Sequence, residues 1–555
     1  MLFLNLRNFW QSIKKDKYLL AAIFLGLLLR GLNPTFGSPS LYVSNDEAIA
    51  HLAAWNMLAE KTPVSIANYT PLGAYLQIPF LVVSFLIMKI SGLVSNAGEF
   101  ELFVLTHEGY FLFIPRLISA LFGTLTILVI YKMTLALFKN SKTALIAAFL
   151  TAVSFNLVHI SHFGKPWAAS LFFFVLAVYL VLKDRTILSP ISAALSYGFH
   201  QVGILVFPLI FFKLVSKKQF GVFLGSSISI LIIAVLSLSS LRKGLLESIG
   251  NNQSFLLKGK FLADLLTGHI DLWDSFFRTL FENFSLYFLA NLVTTDGIIL
   301  IFGLLGMFLY LSKKRSHKEI IFYIVLYFLF ASLFFHPLLR YLLPIILLHI
   351  PLAAFSINSL FCKWRLVIIM IMFLASVNSI WWNYLYFKKP TFIIASEWIE
   401  KNVGSDDKIA NVGGRFTTFA PNKLSIEYMQ KFDPILNQRL FVKGESIAMG
   451  NTINILYLNK IPDAKENLIY YIVNYSPTYV VNYFFSSRNS LIYRFPNLFE
   501  AVVVFNPSIG GRDEEITETL FDPSSNFDTY DNRTHPSMYR LEEMGPIIEI
   551  LKFKN

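Results

Sequence analysis

The chain has 555 residues, of which 55% are hydrophobic and 16% aromatic, with a mean hydropathy of +0.57. That composition excludes an ordinary soluble domain and reads as an integral membrane protein, so the formal charge of +12 concerns membrane topology rather than nucleic acid. The single cysteine, Cys362, excludes an intramolecular disulfide framework and a cysteine-based metal cluster.

In chain order, residues 18–32 follow Lys14, Lys15 and Lys17 and look like a signal peptide. No small-residue cleavage site follows, so they are read as an uncleaved first span. Judged against roughly 20 apolar residues per crossing, further spans are predicted at 112–137, 143–160, 167–182, 187–213, 219–240, 296–312, 319–335, 341–360 and 365–386. Residues 72–91 form another apolar run. Basic clusters lie at 7–17, 132–142, 183–185, 213–218, 313–318 and 363–365, and the positive-inside rule places all of them in the cytoplasm. Parity then makes 72–91 a re-entrant or interfacial segment, and 187–213 a pair of short helices turning near His200-Gln201. About eleven crossings result, in a multi-pass protein of the plasma membrane with a cytoplasmic N-terminus.

The segment 242–295 mixes Phe, Leu and Trp273 with charged residues, a pattern suited to helices lying on the membrane surface as a cover. From Pro390 the composition becomes soluble. A helix is predicted over 391–403, strands at 408–412, 478–483 and 501–505, a helix at 468–474, and a long loop at 510–543. The organisation expected is therefore a polytopic α-helical membrane domain, 1–389, with outer loops 33–115 and 242–295, followed by an extracytoplasmic α/β domain, 390–555.

This topology gathers the reactive side chains on the non-cytoplasmic face. Asp46 is the candidate general base, because an attacking hydroxyl must lose its proton. Glu47 orients Asp46, binds sugar hydroxyls or caps the following helix; Asn45 or Ser44 equally suits that cap. His51, four residues on, shares a helix face with Glu47 and reads as a packing or hydrogen-bonding partner. Arg116 stands at the outer start of a long apolar helix, where its planar fork and the free backbone amides would hold a phosphate; the alternative is a snorkelling interfacial anchor. Arg340, followed by Tyr341, has the same kind of position on a later helix, and Lys165 is a third cation at that face. His159 and His162 have the i, i+3 spacing that, with Asp46, would hold a divalent metal. Satisfaction by water and backbone is the simpler account, so no cofactor is required. No Gly-rich loop offers a seat for a nucleotide phosphate.

These residues resemble the GT-C superfamily of polytopic glycosyltransferases, and within it the protein O-mannosyltransferase-like and lipid A aminoarabinose transferase-like branch. Asn45-Asp46-Glu47 resembles the branch's acidic pair in the first outer loop. Asn68-Tyr69-Thr70-Pro71-Leu72-Gly73-Ala74-Tyr75 resembles its His-Pro-Pro-Leu-Gly-Lys element, with Tyr69 and Thr70 in place of His and Pro and the Lys absent. Arg116 with Leu121-Phe122-Gly123-Thr124 is similar to its phosphate-binding helix start, and Arg340-Tyr341-Leu342-Leu343-Pro344 to a further shared helix. Lys165-Pro166-Trp167 stands where an Arg-Pro-Asp loop is common. The resemblance implies an inverting transfer of a hexose or pentose from a polyprenyl- or dolichyl-phosphate carrier to a hydroxyl of a protein, lipid or glycan. It also implies Asp46 as base and Arg116 on the donor phosphate. The alternatives are a transporter or flippase of lipid-linked sugars and a related oligosaccharide transferase or polymerase. A transporter would favour paired inverted repeats, and none is visible.

Overall fold

The computed structural model describes residues 16–38, 47, 51, 53–55, 57–58, 72–216, 290–312, 317–334, 339–404, 406–412, 420–421, 425, 427, 452–458, 461, 464, 466–484, 490–507, 539 and 541–554. Asp46, Tyr69, the predicted span 219–240, the surface segment 242–295 up to residue 289, and all of the 510–543 loop except 539 and 541–543 lie outside them. Contacts divide the chain into two units, one formed by 1–34, 49–79 and 114–383, the other by 35–48, 80–113 and 384–555.

The first unit is helical. Its elements are α1 (Lys17–Gly31), the first part of α2 (Leu72–Ile90), α4 (Phe113–Phe138), α5 (Ser141–Val153), α6 (Phe155–His162), α7 (Trp167–Leu182), α8 (Leu188–Phe199), α9 (Phe207–Ser216), α10 (Ala290–Ser312), α11 (Glu319–Phe334), α12 (Leu343–Phe361) and most of α13 (Arg365–Tyr386). α3 (Ala97–Thr106) belongs to the second unit. Among the described residues five helices are long and apolar enough to cross a membrane, and a sixth if the bent pair α5–α6 counts as one. Several apolar helices with lipid-type exposed faces, such as Phe308, Phe322 and Phe373, fit a multi-pass membrane protein.

The run 72–91, read as a re-entrant or interfacial segment, is one continuous 19-residue helix with Pro79 inside it. Two sequence expectations change. The predicted span 143–160 is not one straight helix: it breaks at Ser154, and α5 and α6 meet at 48°. The run 341–360 begins with a 3-10 turn, Leu339–Leu342, before α12. The expected turn near His200 is present, since α8 ends at Phe199 and a 3-10 segment, Gln201–Val206, leads into α9.

Small residues set the closest helix approaches, as expected where lipid gives no hydrophobic drive between helices. A Cβ on Gly306 would meet the backbone of Leu352, and one on Gly303 would meet His349, so α10 and α12 pack at backbone distance. The Ser356 hydroxyl donates to Phe302 O at 2.6 Å across the same seam.

Contacts sort the helix ends of this unit into two levels. At one level Arg30, ending α1, reaches the end of α5, the start of α10 meets the α5–α6 break, and Trp382 near the end of α13 packs on His159 of α6. At the other, Asp16 before α1 bonds Tyr131 near the end of α4, Lys213 of α9 pairs with Glu319 of α11 at 3.0 Å, and Asn358 of α12 donates to Thr143 of α5.

The second unit carries a six-stranded sheet of order β2-β3-β1-β4-β6-β5, formed by β1 (Lys408–Asn411), β2 (Ala420–Pro421), β3 (Thr452–Tyr457), β4 (Tyr479–Phe484), β5 (Phe499–Phe505) and β6 (Ile547–Phe553). β1 is parallel to β3 and β4, whereas β6 runs antiparallel to β4 and β5. Helices α14 (Thr391–Asn402) and α15 (Leu468–Tyr475) and a short helix, Leu491–Arg494, accompany it among the described residues. The α/β expectation therefore holds for the described residues, with β2, β3 and β6 added. Gly545, at φ +118°, brings the chain against Thr391, whose N–H and hydroxyl donate to Met544 O and Pro546 O.

Candidate functional site

Arg116 lies in the first turn of α4 and is 3% exposed; its Nη1 donates to Pro34 O at 2.9 Å. One helical turn later Ser119 donates to Lys165 O at 2.9 Å, which fastens the loop between α6 and α7 to α4. Lys165 is itself 1% exposed, with its ammonium 5.5 Å from the Phe163 ring centroid. Charged groups in apolar surroundings are costly and need polar partners: the Arg116 guanidinium has Pro34 O, while Lys165 meets α4 through its backbone carbonyl and sets its ammonium over the Phe163 ring. The corner is lined by Gln77, Pro115, Ile118, Ser119, Lys165 and Pro166, which border a small cleft. Gly73 of the Pro-Leu-Gly element belongs there because a Cβ would press on Pro166.

His51 is fully buried. The Trp55 indole N–H, a donor only, points at His51 Nε2 at 3.1 Å, so that nitrogen accepts. The proton then sits on Nδ1, 3.0 Å from Gln77 Oε1, and Gln77 Nε2 donates back to Gly73 O at 3.3 Å. His51 thus ties its helix to the start of α2 as a neutral imidazole.

On the other flank Trp167 packs against His200, the rings tilted by 31° with centroids 3.7 Å apart, and meets Tyr341 edge-on at 5.7 Å. Tyr341 is held through its carbonyl, which accepts from Tyr327 Oη at 2.7 Å. Arg340 falls in the Leu339–Leu342 turn, while its side chain lies outside the described residues. His159 packs among Phe155, Phe163 and Trp382, and His162 Nδ1 donates to Val158 O at 3.1 Å. Among the described residues no three His, Cys, Asp or Glu side chains gather to hold a metal. Glu47 belongs to the second unit, where it is helical and buried.

An apolar cavity of about 250 Å³ opens between α10, α11 and α12, lined by Leu300, Leu304, Ile324, Phe328 and Ile346, with Asp296 and His349 at its wall.

No family model matches the chain, and no curated protein matches it in sequence. Solved structures are similar to it. The Archaeoglobus fulgidus oligosaccharyltransferase in the apo form is 13% identical over 84% of this chain and 69% of that chain, with a TM-score of 0.44. The AglB oligosaccharyltransferase of the same organism, in complex with an inhibitory peptide and a dolichol-phosphate, is 14% identical over 85% and 70%, at 0.45. ArnT from Cupriavidus metallidurans bound to undecaprenyl phosphate is 12% identical over 87% and 94%, at 0.45. At TM-scores under 0.5 the functional reading rests on the chain's own residues.

Sequence reasoning overlooked two ionisable residues of this unit. Arg30, 2% exposed, donates to Gly26 O, Ala152 O and Thr151 O, and Asp296, 6% exposed, accepts at the start of α6. Their signal was a charge at the very end or start of an apolar run, a position easily taken for a water-facing boundary.

Proposed function

We propose that the chain is a glycosyltransferase that moves one sugar from a polyprenyl-phosphate carrier to a hydroxyl of a protein, lipid or glycan on the non-cytoplasmic face of the plasma membrane. The observation that supports this reading is the corner at the start of α4, where buried Arg116 lies one turn before Ser119 and Ser119 holds the backbone carbonyl of buried Lys165. Arg116 and, in the adjoining loop, Lys165 are read as the pair of cations that holds the carrier phosphate. Arg340 stands one residue before the Tyr341 that packs on Trp167 and is proposed as a third cation for the phosphate. The apolar cavity between α10, α11 and α12 suits a hydrocarbon chain.

In the proposed step Asp46 takes the acceptor hydroxyl proton as the oxygen attacks the anomeric carbon. The bond from that carbon to the phosphate oxygen breaks, its electron pair stays on the phosphate, and Arg116 and Lys165 stabilise the developing charge. Attack from the face opposite the phosphate inverts the anomeric centre. Phosphate leaves without a proton, so the second carboxylate of a glycosidase is not needed.

The test is transfer by purified protein in lipid with labelled polyprenyl-phosphate sugars, comparing wild type, Asp46→Asn and Arg116→Ala. Asp46→Asn is expected to abolish transfer while donor binding persists, and Arg116→Ala to weaken both. Turnover retained in Asp46→Asn removes the base; translocation of the carrier with no sugar released replaces the enzyme by a transporter.

A further inference from the structure

The α5–α6 span breaks at Ser154, which leaves carbonyls unpaired at the end of α5 and amides unpaired at the start of α6. Opposite charges complete the two ends. The Arg30 guanidinium donates to Thr151 O and Ala152 O, both at 2.8 Å, and Ser379 donates to Val153 O at 2.7 Å. On the other side Asp296 accepts from Phe155 N at 2.9 Å, Asn156 N at 3.2 Å, Ser154 Oγ at 2.8 Å and Asn156 Nδ2 at 2.7 Å. Asp296 reaches them because its own helix is interrupted there: α10 is non-helical at that residue, with φ −123° and ψ 37°. Neighbouring Thr295 accepts from Asn156 Nδ2 and Asn378 Nδ2.

We infer that Asp296 is a positioning residue for the Lys165 corner: by capping α6 it sets where the loop that carries Lys165 meets α4. Helix α6 has only eight residues, too few to hold a direction by itself. Its course over about 12 Å is set by its cap and by the helices it packs on. Its last turn lies against Gly123 of α4, where a Cβ would collide with Ser161, and three residues after His162 the chain reaches Lys165, whose carbonyl Ser119 holds. Loosening the cap therefore moves the far end. An amide in place of the carboxylate turns an N–H₂ toward donors that need acceptors, so Asp296→Asn disturbs the cap at nearly constant volume.

The inference rests on the proposed function only for what Lys165 binds, and the test separates the two. In full-length protein in lipid, Asp296→Asn is expected to raise the donor KM about tenfold, with kcat within about twofold of wild type. In a Lys165→Ala background it should add nothing, because both changes act through one side chain. Full additivity would overturn the inference. A second readout needs no donor: with Cys362→Ser and Lys165→Cys in place, thiol labelling at 165 is expected to be about tenfold faster when Asp296→Asn is added. Equal labelling in folded protein would overturn it too. Where Asp296→Asn does not fold, Asn156→Ala removes one side chain of the cap and is expected to speed the same labelling; no change there counts against the inference. Protein that binds no polyprenyl phosphate but shows the labelling change would sink the donor reading alone.

Discussion

At the residue scale, a few side chains are placed by hydrogen bonds that their types alone dictate. The Trp55 indole can only donate, which settles His51 as a neutral imidazole with its proton on Nδ1. Arg116 donates from Nη1 to Pro34 O at 2.9 Å, and its planar fork can take two oxygens of one phosphate where an ammonium is only a point charge. Arg116→Lys is therefore expected to lose donor affinity by about tenfold or more, although charge is conserved; a binding titration with a polyprenyl-phosphate sugar checks this. Gly306 lies where any Cβ meets the Leu352 backbone, which cannot swing aside. Gly306→Ala should lower stability by about 1–3 kcal/mol, read from thermal unfolding in detergent.

At the element scale, the α5–α6 break shows how a helix is interrupted inside a bundle without leaving backbone groups bare. Arg30 stands at a carbonyl end and Asp296 at an amide end, each where the helix dipole favours its charge. Arg30→Met is expected to destabilise the bundle, since three carbonyls lose their donor and a thioether has none to offer. In the sheet, Glu549 of β6 is 1% exposed and accepts from Asn482 Nδ2 at 2.8 Å, Ser490 Oγ at 2.8 Å and Leu491 N at 2.5 Å. Burial pushes its carboxyl above the usual range, and the hydrogen bonds offset this only in part. The folded state therefore holds this proton more tightly than the unfolded chain. Its contribution is full below the ordinary carboxylate pKa of about 4.3 and is lost as pH rises through the raised value. Glu549→Gln should remove that decline and leave the sheet domain equally or more stable at neutral pH, as a denaturation series across pH would show.

At the scale of the whole molecule, the charge pattern and the helix contacts agree on an arrangement. The helix ends assigned by the positive-inside rule to one side meet at one level, Arg30 with Ala152 and Trp382 with His159. Those assigned to the other side meet at the second, Lys213 with Glu319 and Asn358 with Thr143. Cys362, exposed beside the basic residues at 363–365, is a natural reporter of which level is cytoplasmic. A membrane-impermeant maleimide is expected to label it only after the membrane is opened. Labelling in sealed cells would reverse the orientation.

The membrane class, the apolar helices, the turn at His200 and the α/β character after Pro390 were legible in the sequence. Each depends on local composition or on a period that a short stretch carries within itself. The ordered motifs likewise pointed to Arg116, whose place at a helix start is a local property. Tertiary structure alone decided the break at Ser154, because Ser154 is compatible with a straight helix until Arg30, 122 residues before Ala152, and Asp296, 140 residues after Asn156, complete the freed ends. It alone decided that Lys165 lies against Ser119, and that β6, near the end of the chain, enters the sheet between β4 and β5. The physical reason is common to all three: a buried charge, carbonyl or strand edge is tolerable only with a partner, and here the partner comes from a distant part of the chain.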